Sequence, residues 1–216
     1  MKQEIIDRYE ALAKLYRQES DKKKLHLRFI SWLRLALFGL IILTFVYLIP
    51  ISHLAGWFTV IACLAAFLWL VKKSVYTEKQ LNYFLNLVDV NVNEVKAIRR
   101  DFSPFAPGNE FIHPDHDYSY DLDLFGENSF FQFLNRTVTF GGKNRLAESI
   151  QNSSQDAETI RQKQLAIIEL AETLDWRQQF LASGRNAENM GSVGSLLQQR
   201  EVIELKSTAF LKISIL

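Results

Sequence analysis

Three basic side chains in the second half of the chain could meet the phosphates of a nucleic acid: Arg136, Lys143 and Arg145. Guanidinium and ammonium groups hold phosphate oxygens by charge-assisted hydrogen bonds, and such contacts position a protein on a nucleic-acid backbone. Two acidic residues nearby in the sequence, Glu127 and Glu148, lower the net positive charge of this patch. The patch is therefore a candidate nucleic-acid contact, and an ordinary solvated surface of mixed charge is the alternative.

Gly141, Gly142 and Lys143 resemble half of a phosphate-binding loop. A complete loop has a first glycine five residues before a Gly-Lys-Ser/Thr unit, so that successive backbone amides surround the phosphates. Thr137 stands at the position of that first glycine, and Asn144 stands where the hydroxyl should be. No nucleophile elbow, zincin motif or dinucleotide fingerprint occurs elsewhere. The sequence therefore predicts no catalytic residue and no cofactor for this chain.

Imidazole and carboxylate side chains between His113 and Asp117 have the types that bind zinc. They lie in a loop that contains Pro114, without a second cluster or a cysteine partner. Ligand type alone does not fix a coordination geometry. We expect these side chains to form surface hydrogen bonds and no metal site, with metal binding as the alternative.

Two apolar runs, Leu35 to Ile49 and Leu54 to Val71, predict a helical hairpin that crosses a membrane. At about 1.5 Å per residue the second run covers roughly 27 Å, close to the hydrocarbon core of about 30 Å. Pro50, Ser52 and His53 separate the runs and predict a break, because proline disfavours continuation of a helix. The alternative is a buried hairpin in a soluble domain, which would normally show a polar side on each helix.

Residues at the ends of the runs predict how the hairpin lies in the membrane. Basic residues precede the first run and follow the second, and the connection between the runs has none. Since basic residues favour the cytoplasmic side, we expect a multi-pass protein of the inner or cytoplasmic membrane, with both ends of this segment in the cytoplasm. The expected anchors at the membrane interface are Trp32, Arg34, Trp69, Lys72 and Lys73.

The overall charge and the cysteine content exclude two features of the chain. The formal net charge is +1, from 25 basic and 24 acidic residues, so the whole chain does not have the charge of a nucleic-acid binder. The single cysteine, Cys63, lies in the second apolar run, so an intramolecular disulfide is excluded.

Amphipathic helices are predicted on both sides of the hairpin, because apolar residues recur there at spacings of three and four. Neither apolar stripe can be buried alone, and we predict that the two helices pair as an antiparallel stalk. The alternative is that each helix packs on a different surface, including a partner chain. The stripes consist of Ile5, Tyr9, Leu12 and Tyr16 before the hairpin, and of Leu81, Leu85, Val88, Val92, Val95 and Phe102 after it.

The predicted fold class is mainly α. Prolines and Gly108 stop the helical pattern after the second amphipathic helix, and helix-start signals resume at Ser129, Thr139 and Ser154. The predicted segments are a cytoplasmic amphipathic helix (1–31), the transmembrane hairpin (32–71), a second cytoplasmic amphipathic helix (72–102), a linker (103–120) and a helical domain (121–216).

The stretch from Asp121 to Ile150, continued by Ile160 and by Lys163 to Leu170, resembles the core and lever region of MutS-family proteins. The shared features are a leucine-acidic-leucine strand, a short helix, Asn before Arg-Thr-x-Thr, a glycine, and two further helices. Asn144 departs from an arginine that the family often has. The matching residues are Asp121 to Leu124, Asn135, Thr137, Thr139, Gly142, Leu146, Ile160, Ala166, Ile167 and Leu170.

The resemblance implies an all-α, core/lever-like domain in a membrane-anchored protein related to DNA mismatch repair. Family members carry their ATPase, with ATP and Mg²⁺, after the lever. This chain is therefore expected to be the anchor and lever base of a longer polypeptide, which forms a homodimer through the missing ATPase region and binds DNA. The alternative is a membrane-bound helical scaffold or adaptor for protein partners. Thr137 and Thr139 also suit turn formation and helix capping, which need no ligand.

Overall fold

The computed structural model describes residues 2–113, 119, 121–152 and 156–185. The described residues form helices and connecting loops and contain no β-strand, so the prediction of a mainly α chain is confirmed. The chain divides into two compact units. We call Asp7–Asp89 the hairpin unit, and Met1–Ile6 with Val90–Leu216 the head unit.

The second apolar run lies within one long helix, α3 (His53–Ile98), and the first begins in another, α1 (Lys2–Leu43), and continues through the helical turns that follow it. Each is long and apolar enough to cross a membrane, judged by length and composition. Only 11% and 17% of their most apolar stretches is buried. The core helix of a soluble protein would bury most of such a stretch, and these two helices do not.

The connection between the long helices differs from the predicted break. After α1 the chain forms a π-helical turn, Thr44–Leu48, and a short helix, α2 (Ile49–Ile51), that contains Pro50. Proline is tolerated in the first turn of a helix, because its missing N–H would have no acceptor within the helix there. The interruption falls at Ser52 alone, whose backbone is extended (φ −148°, ψ 104°), and His53 already belongs to α3.

Side-chain contacts inside the hairpin unit pair α1 with α3 in opposite directions. As the residue number rises along α1, the number of the contacted residue falls along α3, which is the register of an antiparallel stalk. The contacts are Tyr16 with Phe84 (ring centroids 6.5 Å apart), Lys23 Nζ with Gln80 Oε1 (2.7 Å) and Arg34 with Phe67 (5.5 Å to the ring centroid).

The C-terminal end of α3 lies before the end of the predicted stripe. Val88 and Val95 are buried, in agreement with the apolar spacing. The helix ends before Phe102, however, because the chain leaves it through Arg100 in the left-handed region (φ 67°). Phe102 packs instead edge-on against Phe133, with ring centroids 5.4 Å apart.

A cluster of phenylalanines forms the core of the head unit. It involves two short helices, α4 (Phe130–Leu134) and α5 (Phe140–Gln151). The fully buried ring of Phe131 lies 5.6 Å from that of Phe111 and 5.3 Å from that of Phe125, measured between centroids. The cluster therefore joins α4 to the loops that precede it.

Two of the three predicted helix starts are confirmed as caps. Ser129 Oγ accepts a hydrogen bond from the Gln132 N–H (3.2 Å) at the start of α4, and Thr139 caps α5. Ser154 lies outside the described residues. The next helix, α6 (Ala157–Glu172), is capped by Asp156, and hydrogen bonds from Thr159 lower the pKa of the Asp156 carboxyl.

The strand that the MutS resemblance implies over 121–124 is not formed. Residues 121–123 make a turn, in which Asp123 has a left-handed backbone (φ 46°). A left-handed residue reverses the chain direction, so it cannot continue an extended strand. The fold of this segment therefore differs from the expectation.

A buried pair of amides joins α3 to the last described helix, α7 (residues 174–185). Asn91 and Gln178 are 0% and 2% exposed. Asn91 Nδ2 donates to Gln178 Oε1 (3.2 Å), and Gln178 Nε2 donates to Asn91 Oδ1 (2.7 Å). Near this pair on α7, the exposed rings of Trp176 and Phe180 stack with centroids 5.3 Å apart.

Replacing Gln178 by leucine is expected to destabilise the packing of α7 by about 1–3 kcal/mol, because the buried Asn91 amide loses both of its hydrogen bonds to Gln178. The double variant Asn91→Leu with Gln178→Leu should be less damaging than the sum of the single variants. Hydrogen exchange of the α7 amides in the full chain measures both effects. Additive effects of the two single variants would show that the amides do not act as a pair.

Candidate functional site

Most of the candidate motif residues line one cleft of the head unit, with a volume of about 300 Å³. The loop between α4 and α5, the end of α3, the segment 104–106 and α7 surround it. We call it the motif cleft. Its polar lining consists of Asn93, Glu94, Asn135, Arg136, Thr137, Thr139, Lys143 and Arg185.

Asn135 fixes the loop that forms one wall of the motif cleft. Its Oδ1 accepts hydrogen bonds from the Thr137 N–H (3.1 Å) and hydroxyl (2.7 Å). Its Nδ2 donates to the carbonyl of Ala106 at 3.0 Å. A side-chain oxygen that bonds the backbone two residues later forms an Asx turn. Asn135 and Thr137 thus stabilise a turn, which is the interpretation that needs no ligand.

Thr139 and Gly142 form the beginning of α5. The Gly142 N–H donates to Thr139 Oγ1 at 3.1 Å, which satisfies one of the free amides of the first turn. A Cβ atom at position 142 would lie only 3.1 Å from the same oxygen. The glycine of the motif therefore leaves room for the cap, and both threonines have structural roles.

Arg136 is held on three sides. Its Nε donates to Glu94 Oε1 at 2.6 Å, and its guanidinium lies 3.7 Å from the centroid of the Phe105 ring. The same group donates to the carbonyl of Phe133 at 2.9 Å. These contacts use most of the donors of the guanidinium fork, so Arg136 fixes the wall of the cleft and offers little to a phosphate.

Lys143 and Arg145 also have carboxylate partners. Lys143 Nζ lies 2.5 Å from Glu110 Oε1, and this hydrogen bond lowers the pKa of the Glu110 carboxyl. Arg145 lies outside the motif cleft, on an exposed part of α5, 3.2 Å from Glu148 Oε2. The structure therefore brings together Arg136 and Lys143 but not Arg145.

Three charged residues of this region were not predicted as site residues: Glu94, Glu110 and Arg185. Glu94 is 42 positions from its partner Arg136, and no local pattern predicts a contact over that distance. Glu110 lies between Pro107 and Pro114 of the predicted linker and belongs to no motif. Arg185 lines the cleft from α7, and no ion pair joins it to another described residue.

Gly184 is required for the packing of α7 beside the motif cleft. A Cβ atom at this position would overlap Val138 Cγ2 and would lie 3.3 Å from Val138 Cβ. The β-branched side chain of valine has little rotational freedom to move away. The close approach therefore depends on the absent side chain of glycine.

Replacing Gly184 by alanine is expected to destabilise the α7 packing by about 1–3 kcal/mol, the usual range for overpacking. The second change Val138→Ala removes the clashing atom and should restore most of the loss. Hydrogen exchange of α7 measures both variants, and Ser183→Ala on the exposed side of the same helix is the control. A double variant as unstable as Gly184→Ala alone would contradict the steric explanation.

The remaining predicted residues lie elsewhere. Trp32 and Trp69 are exposed on α1 and α3, and Lys73 Nζ lies 4.9 Å from the centroid of the Trp69 ring. Of the candidate zinc ligands, His113 is described, and the other three, Asp115, His116 and Asp117, fall outside the described residues. Within the described ranges, no three histidine, cysteine or acidic side chains come together as a metal site.

Comparisons of the chain with family models, with curated proteins and with solved structures give no match.

Proposed function

We propose that this chain is the membrane anchor and lever base of a MutS-like ATPase, and that the catalytic and DNA-binding work belongs to regions C-terminal to it. The observation that carries the proposal is the set of large apolar side chains that α6 leaves exposed. The ordered motif from Asn135 to Gly142 and the helices that follow it support the assignment to this family.

The α6 helix has no buried residue. Five large apolar side chains on it are between 40% and 67% exposed: Ile160, Leu165, Ile167, Ile168 and Leu170. Large apolar side chains that are exposed together on one helix are normally covered by protein. In the proposed arrangement the rest of the lever, from the same longer polypeptide, packs on α6.

The membrane part of the proposal assigns both long helices to the bilayer, with the head unit in the cytoplasm. It is supported by the low burial of their apolar stretches and by the basic residues at Arg34, Lys72 and Lys73. The indoles of Trp32 and Trp69 suit the interface, because they combine an apolar ring with an N–H donor. The protein would thus be multi-pass, with both ends of this segment in the cytoplasm.

ATP, Mg²⁺, dimerisation and DNA binding are assigned to the regions beyond this chain. Arg136 and Lys143 are paired with Glu94 and Glu110, so contact with DNA phosphates would require these ion pairs to break. The same pairing favours a second candidate function, a membrane-bound scaffold whose head unit binds protein through α6 and has no nucleic-acid role.

The native polypeptide distinguishes the two functions. Its intact mass should show that it is several hundred residues longer than this chain. The protein purified from membranes should hydrolyse ATP, and it should bind DNA in an ATP-dependent manner. A product that ends at Leu216, without ATPase activity, would overturn the ATPase proposal and favour the scaffold.

A photoreactive amino acid at position 167, on the apolar face of α6, adds a direct test. A crosslink within one longer polypeptide is expected for the lever base, and a crosslink to a different protein is expected for the scaffold. Position 162, occupied by the exposed Gln162, is the matched control, because it lies about 140° around the same helix from Ile167.

A further inference from the structure

A second cleft, of about 380 Å³, lies between α1 and α3 inside the hairpin unit. We call it the interface cleft. Lys22, Lys23 and His26 line it from α1, and Lys73, Thr77 and Gln80 line it from α3. It lies on the charged side of the apolar runs, since Lys73 follows the second run by two residues.

The interface cleft has an excess of positive charge. Its one lining carboxylate, Glu19, is paired with Lys22 at 2.6 Å. The ammonium groups of Lys23 and Lys73 have neutral neighbours instead. Lys23 Nζ lies 2.7 Å from the amide oxygen of Gln80, and Lys73 Nζ lies over the indole of Trp69 at 4.9 Å. Lys23 and Lys73 thus line one cavity, and neither forms an ion pair with a carboxylate in the described part of the chain. This charge arrangement suits phosphate.

The apolar side chains next to the cleft indicate the source of that phosphate. Phe29 and Leu33 on α1 are 66% and 40% exposed, and they follow His26 at spacings of three and four residues, towards the first apolar run. Tyr76, which lines the cleft, is 63% exposed. A free phosphate ion has no apolar part that could cover these side chains, whereas the acyl chains of a lipid would cover them.

We propose that the interface cleft binds the phosphate headgroup of an anionic phospholipid, held by Lys23 and Lys73, with its acyl chains along Phe29 and Leu33. The proposal rests on the membrane part of the proposed function. A lipid bound there would bridge α1 and α3 at the level where they leave the bilayer.

Native mass spectrometry of the full chain in detergent tests the site, with dioleoylphosphatidylglycerol and dioleoylphosphatidylcholine as probes. The first phosphatidylglycerol is expected to bind about tenfold more tightly than phosphatidylcholine. The double variant K23Q/K73Q should lose this preference, and K23R/K73R should keep it. Retention in the arginine variant excludes a general loss of folding as the cause.

The matched control is K24Q/K79Q, which removes the same charge from two exposed lysines outside the cleft lining, one on each helix. It should keep the lipid preference within about twofold. An equal loss in both glutamine variants would overturn the site in favour of general surface attraction. Displacement of phosphatidylglycerol by inorganic phosphate would overturn the lipid as the source and indicate a free anion.

Alkaline carbonate extraction of native membranes separates this proposal from the membrane anchor itself. Release of the protein would overturn both proposals. Retention of the protein in the membrane without a preference for phosphatidylglycerol would overturn the headgroup site alone.

Discussion

Replacement of Phe131 by alanine is expected to lower the free energy of unfolding of the head unit by about 3–5 kcal/mol. The side chain is fully buried, and its ring contacts those of Phe111 and Phe125. Truncation removes these contacts and leaves a cavity that the surrounding rings can fill only in part. In the full chain, amides of α4 and α5 that exchange through opening of the head unit should do so at least about 100-fold faster.

Phe130→Ala is the matched control, because it makes the same change at the preceding residue of α4. The side chain of Phe130 is 51% exposed, so its truncation should cost less than about 1 kcal/mol. Equal acceleration of exchange in the two variants would show that Phe131 is not the centre of the core.

Replacement of Gly108 by alanine is expected to destabilise the head unit by about 2–5 kcal/mol, from two independent causes. The backbone of Gly108 is left-handed (φ 75°), which an L-residue adopts at a cost of about 1–2 kcal/mol. A Cβ atom there would also lie 2.7 Å from two carbons of the Phe131 ring. The ring is fully buried and cannot move into solvent.

Gly141→Ala is the control for this substitution. No neighbouring atom lies within 4 Å of a Cβ at position 141, and the residue is in the first turn of α5. Alanine should therefore stabilise the helix slightly, by up to about 1 kcal/mol. The same exchange experiment compares the two variants, and a neutral Gly108→Ala would refute the close packing of the glycine against Phe131.

Features with a local physical cause could be predicted from the sequence. The two apolar helices follow from uninterrupted runs of apolar residues, and the caps at Ser129 and Thr139 follow from hydroxyl side chains just before helical segments. Pro50 shows the limit of such a rule. Proline breaks a helix in its interior but is tolerated in the first turn. Pro50 lies in the first turn of α2, because a π-helical turn ends just before that helix.

Contacts between distant residues could not be predicted. The basic side chains of the motif indicated phosphate binding, but the partner of Arg136 comes from α3, 42 residues earlier. The phenylalanine core combines rings from a loop and a short helix, and neither shows a clear apolar period. A single sequence shows the type and spacing of residues. It does not show which charged residues pair in the head unit, because that depends on the tertiary structure.

The positions of the four tryptophans give the protein a built-in optical probe. Three indoles belong to the apolar stretches or their ends, and the fourth, Trp176, is exposed on α7 beside Phe180. If the long helices lie in lipid, brominated acyl chains will quench the emission of the first three, and iodide in the buffer will quench that of Trp176. Two quenching titrations can thus follow the indoles of the apolar stretches and the indole of the head unit separately, without an added label.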